Sequence, residues 1–169
     1  MRKCVCMTAA FAVLLALTAP SLSAQAKASA DEAAIRALYT KFNDAFNNRD
    51  VNGVMSIYAP DVFVYDVIPP REYASWDAYK KDWDGFFAQF SGPIHNTVSD
   101  LKITVVGPVA YTQYIADGTL TAQDGTQSHI VVRSTDVWRK TNGKWLVVEE
   151  HNSVPVDLAT GKPDMLSTP

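Results

Sequence analysis

TDVWRKTNGKWLVVEEHN, residues 135–152, reads as two β-strands joined at Asn142-Gly143. Asn-Gly accepts the positive φ angles that a two-residue hairpin turn requires, and its flanks alternate β-branched or aromatic residues with polar ones. Upstream, Asp124-Gly125 and Gly107-Pro108 punctuate the chain in the same way. Together these turns delimit four long antiparallel strands, near Ile94–Val106, Val109–Ala122, Thr126–Lys140 and Lys144–Val154. Further upstream the apolar period becomes helical. Ile35, Leu38, Tyr39, Phe42, Ala45 and Phe46 follow Asp31 and Glu32, whose charges suit a helix N-terminus. Asn47-Asn48-Arg49 breaks that pattern, and Asp50 caps a short second helix carrying Val54, Met55 and Tyr58 that Pro60 ends. Val62–Asp66 reads as a strand stopped by Pro69-Pro70. Ser75 then caps a third helix with an aromatic stripe that includes Trp76, Tyr79, Trp83, Phe86, Phe87 and Phe90. Three helices ahead of an antiparallel meander predict an α+β fold, the helices covering one face of a curved sheet.

The first residues have another grammar. Arg2 and Lys3, the apolar stretch Val5–Leu17, Pro20 and the small residues Ala24 and Ala26 form a secretory signal over residues 1–26, with cleavage after Ala26 or, next best, after Ala24. The apolar stretch is shorter than the roughly 20 residues of a spanning helix, so no membrane anchor is expected after cleavage. The chain is therefore expected to be exported, periplasmic or secreted. Cys4 and Cys6 leave with the signal, removing disulfides, thiolate catalysis and cysteine ligands from the mature chain. The full chain is 47% hydrophobic, residues 27–155 suffice for one packed domain, and the polar tail 156–169, punctuated by Gly161 and Pro163, reads as a loose wrap or disordered. The net charge of −3, without any basic block, argues against a nucleic-acid partner.

Three segments resemble the SnoaL-like proteins of the nuclear transport factor two-like superfamily, which share their fold with ketosteroid isomerases and the calmodulin-dependent kinase association domain. They are Ala45–Gly53 with Tyr58–Val62, the aromatic helix Trp83–Phe90, and Thr135–Lys140 with Asn142–Trp145 and Glu150–Pro155. The resemblance implies a cystatin-like cone enclosing one internal pocket, a small-molecule ligand or substrate, and a homodimer through the outer sheet face. Fold alone does not name a function, because the family includes enzymes, binding proteins and assembly modules.

Matching Gly143-Lys144 to the equivalent turn of ketosteroid isomerases puts Arg133, Thr135 and Val137 on the pocket face, opposite Leu146, Val148, Glu150 and Asn152. His129 then points inward, whereas Trp138, Trp145, Glu149 and His151 point outward; a one-residue slip exchanges the two sets. Counting from Gly53, Asp66 falls where those isomerases keep their general base. Their tyrosine and protonated-aspartate positions are matched by Phe42 and Thr135, so that oxyanion hole is not present in that form. Asp66 is either the base or simply the end of a strand. His129 is its candidate acid–base partner, with Tyr65 or Tyr39 as a substitute phenol. Arg133 either pairs with Glu150 or receives a ligand carboxylate. The expected ligand-binding set is Tyr39, Phe42, Tyr65, Trp83, Phe87, Arg133, Thr135, Glu150 and Asn152. His95, His129 and His151 lack metal-site spacing, and no nucleotide loop or nucleophile elbow occurs, so neither metal nor cofactor is expected. Three functions stay open: a small-molecule binder, a cofactor-independent isomerase, cyclase or dehydratase, and a homodimeric interaction module.

Overall fold

The computed structural model describes residues 22–167. Its elements are α1 (Leu22–Asn47), α2 (Val51–Met55), β1 (Tyr58–Tyr65), α3 (Trp76–Phe87), β2 (Phe90–Val106), β3 (Val109–Ala122), β4 (Gln127–Thr141) and β5 (Lys144–Ser153). The strands form one five-stranded sheet in the order β1-β5-β4-β3-β2. The meander from β2 to β5 is antiparallel, as the turn dipeptides predict, and β1 extends it by pairing parallel to β5. Asn142 and Gly143 take φ of 51° and 80°, the left-handed pair that the tight β4–β5 turn requires.

Side-chain caps fix the short helices. Asp50 accepts from the Gly53 amide at 3.0 Å and Ser75 from the Ala78 amide at 3.2 Å, both as expected. The long helix differs from expectation at its start. It begins at Leu22, so Asp31 lies inside it, buried, accepting hydrogen bonds from Lys140 Nζ and, at 3.1 Å, from Trp145 Nε1. Lys140 holds the Asp31 carboxyl below the ordinary aspartate range. Asp31 therefore pins α1 to the β4–β5 hairpin instead of marking a helix end. At the other end, the Asn47 side chain takes the Asn96 amide at 2.7 Å and donates to its carbonyl at 3.1 Å. These two ties lay the buried face of α1, formed by Ile35, Tyr39, Phe42 and Ala45, across the concave side of the sheet. Residues 1–21 of the expected signal lie outside the described residues. No helix among the described residues is long and apolar enough to cross a membrane.

Two expectations are corrected here. Trp138 and Trp145, placed on the outer sheet face by the sequence, are 0% and 4% exposed and belong to the core. The described part of the tail, residues 156–167, is neither a loose wrap nor disordered but a small hairpin tied to the sheet. Val156 bridges Pro163, and the Met165 carbonyl takes the Val131 amide at 2.8 Å, beyond the point where β5 stops pairing with β4 at Ser153. A β4 amide that β5 can no longer reach is satisfied by the tail instead.

Candidate functional site

The inner face of the sheet is set by one irregularity. Val137 pairs with Glu149 but Trp138 with Val147, leaving Val148 as an extra residue on β5. Such a bulge reverses the alternation of the strand that carries it. Trp145 and Val147 on one side of the bulge therefore share the inner face with Glu150 and Asn152 on the other. Along β4 the inner residues are Ile130, Val132, Ser134, Asp136 and Trp138, the set exchanged with the one expected. Arg133 and Thr135 lie on the outer face, where Arg133 Nε donates to Ser153 Oγ at 3.2 Å, far from any pairing with Glu150. His129 is outer as well, exposed and 2.7 Å from Asp117. Tyr65, 41% exposed, packs edge-on against Phe63 and His151 instead of entering the pocket.

The inner face and the helices enclose a cavity of about 150 Å³. Its walls are apolar: Phe42 and Phe46 from α1, Trp83 and Phe86 from α3, and Leu120 and Ile130 from the sheet. Its polar end gathers Asp66, Tyr79, Glu150 and Asn152. Of the expected ligand-binding residues, Phe42, Trp83, Glu150 and Asn152 line this space; Phe87 packs behind it on Phe46 and Trp83.

Asp66 follows the last residue of β1, at the start of the loop leading to α3. Its Oδ1 accepts from the Val67 amide at 2.6 Å, and Tyr79 Oη approaches Oδ2 at 3.4 Å. Burial, reinforced by the nearby Glu150 charge, raises the Asp66 carboxyl to about 7. Glu150 has three donors: Tyr58 Oη at 2.5 Å, Tyr79 Oη at 3.1 Å and Asn152 Nδ2 at 2.5 Å. Burial raises its pKa and those hydrogen bonds pull it back. Tyr79 thus stands between two acids with one proton to give. At 3.1 Å it gives it to Glu150, leaving Asp66 Oδ2 weakly engaged.

Below this layer is a second, enclosed network. Trp138 Nε1 donates to Thr112 Oγ1 at 3.1 Å, Thr112 lies 2.5 Å from Tyr39 Oη, and Tyr39 donates to Asp136 Oδ2. Tyr39, expected at the ligand, belongs to this network. The other Asp136 oxygen is buried without a partner, and burial together with the Glu150 charge pushes this carboxyl well above the aspartate range. A buried acid one residue from the Thr135 match was therefore missed, as were Tyr79, Tyr114 and Ser134. The signal was present: the set carrying Arg133 and Arg139 is the one that water would solvate, which makes its alternate the inner face. Among the described residues no three His, Cys, Asp or Glu side chains converge as a metal-binding group.

The comparisons agree with this architecture. An NTF2-like protein of unknown function from Pseudomonas putida KT2440 has a similar structure, with a TM-score of 0.76 at 26% identity over 83% of this chain and 98% of that one. A nuclear transport factor 2-like superfamily protein from Salmonella enterica gives a TM-score of 0.70 at 18% identity, over 80% and 99%. A putative scytalone dehydratase from Novosphingobium aromaticivorans gives 0.69 at 16% identity, over 76% and 86%, a likeness of fold alone. No curated protein matches the chain. The description of the SnoaL-like domain matches residues 35–157, spanning all but the first turns of α1 and the tail, so the chain belongs to the SnoaL-like domain family.

Proposed function

We propose that the chain binds one small, largely apolar molecule in the inner cavity, with Asp66 meeting the molecule's polar end. The observation that carries this is the make-up of the cavity: aromatic and aliphatic walls with a cluster of polar groups, Asp66, Tyr79, Glu150 and Asn152, in which one carboxylate oxygen is weakly engaged. Pockets of that composition take ligands by apolar burial and orient them through a few polar groups. Native mass spectrometry of protein purified from its own host, followed by a ligand screen on wild type and Asp66→Asn, tests it. A bound small molecule, held less well by the variant, is expected; a cavity that is empty after isolation and takes nothing in the screen refutes it.

A second reading is a cofactor-independent isomerase or dehydratase. It is favoured by one feature, a carboxyl near neutrality beside a phenol, which suits a general base working close to pH 7. Loss of turnover in Asp66→Asn with retained ligand affinity separates it from binding alone. Two further proposals come from the sequence. Export through the signal in residues 1–26 predicts a mature chain starting at Lys27, read by mass spectrometry of the intact product. Dimerisation through the outer sheet face, where Tyr65, Val109 and Tyr111 are 41%, 42% and 45% exposed, predicts a two-chain mass in light scattering.

A further inference from the structure

The charges around the cavity are all of one sign. Asp66, Asp82 and Glu150 line it, and no Lys, Arg or His among the described residues does. A carboxylated occupant would place another negative charge in a partly desolvated space that offers no counter-charge, which is strongly unfavourable. The expectation of a ligand carboxylate depended on Arg133, which is on the outer face.

The acids are not equally available. Glu150 is engaged by its three donors, and Asp82 Oδ1 takes the Tyr73 hydroxyl at 2.7 Å. Asp66 Oδ2 has only the long contact to Tyr79, whose proton favours Glu150. The same cavity carries rings whose faces attract cations. Trp83 packs edge-to-face with Phe42, Phe46 and Phe86 at centroid distances of 6.2, 5.5 and 5.6 Å, and all four line the cavity.

Resting on the small-molecule reading above, we infer that the occupant is an aryl or alkyl amine, its ammonium on Asp66 Oδ2 and its apolar body against Trp83 and Phe86. The titratable groups facing Asp66 are Tyr79 and Asp82 from α3, Glu150 from β5, Tyr114 from β3 and Tyr73 from the loop between β1 and α3; none is basic. An ammonium at Oδ2 stabilises the carboxylate, so a site with a carboxyl near 7 releases a proton on binding, and amine affinity falls as pH drops from 8 to 6.

Isothermal titration of the full chain with 2-phenylethylamine, 2-phenylethanol and phenylacetate tests this, in buffers of different ionisation enthalpy. A charged hydrogen bond in place of a neutral one favours the amine over the alcohol by about tenfold. Phenylacetate is expected to bind weakest, and only the amine to release protons. Asp66→Asn should abolish the amine preference while leaving alcohol binding. Alcohol binding with no amine preference, or tightest binding of phenylacetate, overturns the inference alone. No binding of any of the three to protein with a native circular dichroism spectrum overturns it together with the cavity reading.

Discussion

Asp136 and Glu150 are paired directly across β4 and β5, both buried, yet their surroundings differ in one respect that decides their chemistry. Glu150 meets three donors, whereas Asp136 meets Tyr39 alone and leaves one oxygen bare. Burial pushes both carboxyls up; three donors oppose the rise at Glu150 and one at Asp136. Adjacent acids at one depth thus differ in how strongly their surroundings favour the charged form, Glu150 more than Asp136. Asp66, at the end of the cavity, is less buried than either, and its carboxyl is raised to about 7.

Substitutions break or sharpen that difference, beginning with the most disruptive. Glu150→Leu leaves the Tyr58, Tyr79 and Asn152 donors unpaired inside the core and should cost about 3–5 kcal/mol in urea unfolding. Glu150→Gln keeps the shape but presents an amide to those same donors, so a loss of about 1–2 kcal/mol is expected. Asp136→Asn, which mimics a protonated acid, should cost under about 1 kcal/mol. Equal losses for the two isosteric changes would remove the distinction between the two acids.

The next effect is a pH dependence. An acid whose pKa is raised by folding contributes stability that is fully present below its unfolded value near about 4. That stability is lost as pH rises through the folded value, about 7 for Asp66. The urea midpoint should therefore fall between pH 5 and pH 8, and fall less in Asp66→Asn. A midpoint that rises over this range contradicts the direction assigned to the buried acids. The smallest effects belong to the outer face. His129→Ala, Arg133→Met and Thr135→Val should each change stability by no more than about 0.5 kcal/mol and leave ligand affinity unchanged.

Local chemistry made most of the fold legible. Asn142-Gly143, Asp124-Gly125 and the Asp50 and Ser75 caps each encode their conformation within a few residues. The site was half legible for the opposite reason. Phe42, Asp66, Glu150 and Asn152, located by matching to ketosteroid isomerases, and Trp83, read from the aromatic stripe, line the cavity. Arg133, Thr135 and His129 were misplaced because the face of β4 was taken from a matched turn instead of from its own charges. The bulge at Val148 adds to this: Trp145 and Glu150 differ in parity yet share a face, which no fixed alternation can express. Tyr79 was read as one ring in an aromatic stripe, and its role depends on Glu150, 71 residues away in sequence.

The most direct test is the titration of Asp66 itself, followed by carboxyl carbon-13 NMR from pH 4 to pH 9 and assigned by comparison with Asp66→Asn. A midpoint of about 7 is expected, moving down when 2-phenylethylamine is added. A midpoint near about 4, the value of a solvated aspartate, would mean that Asp66 is an ordinary surface acid and that the polar end of the cavity has no group poised to receive a ligand.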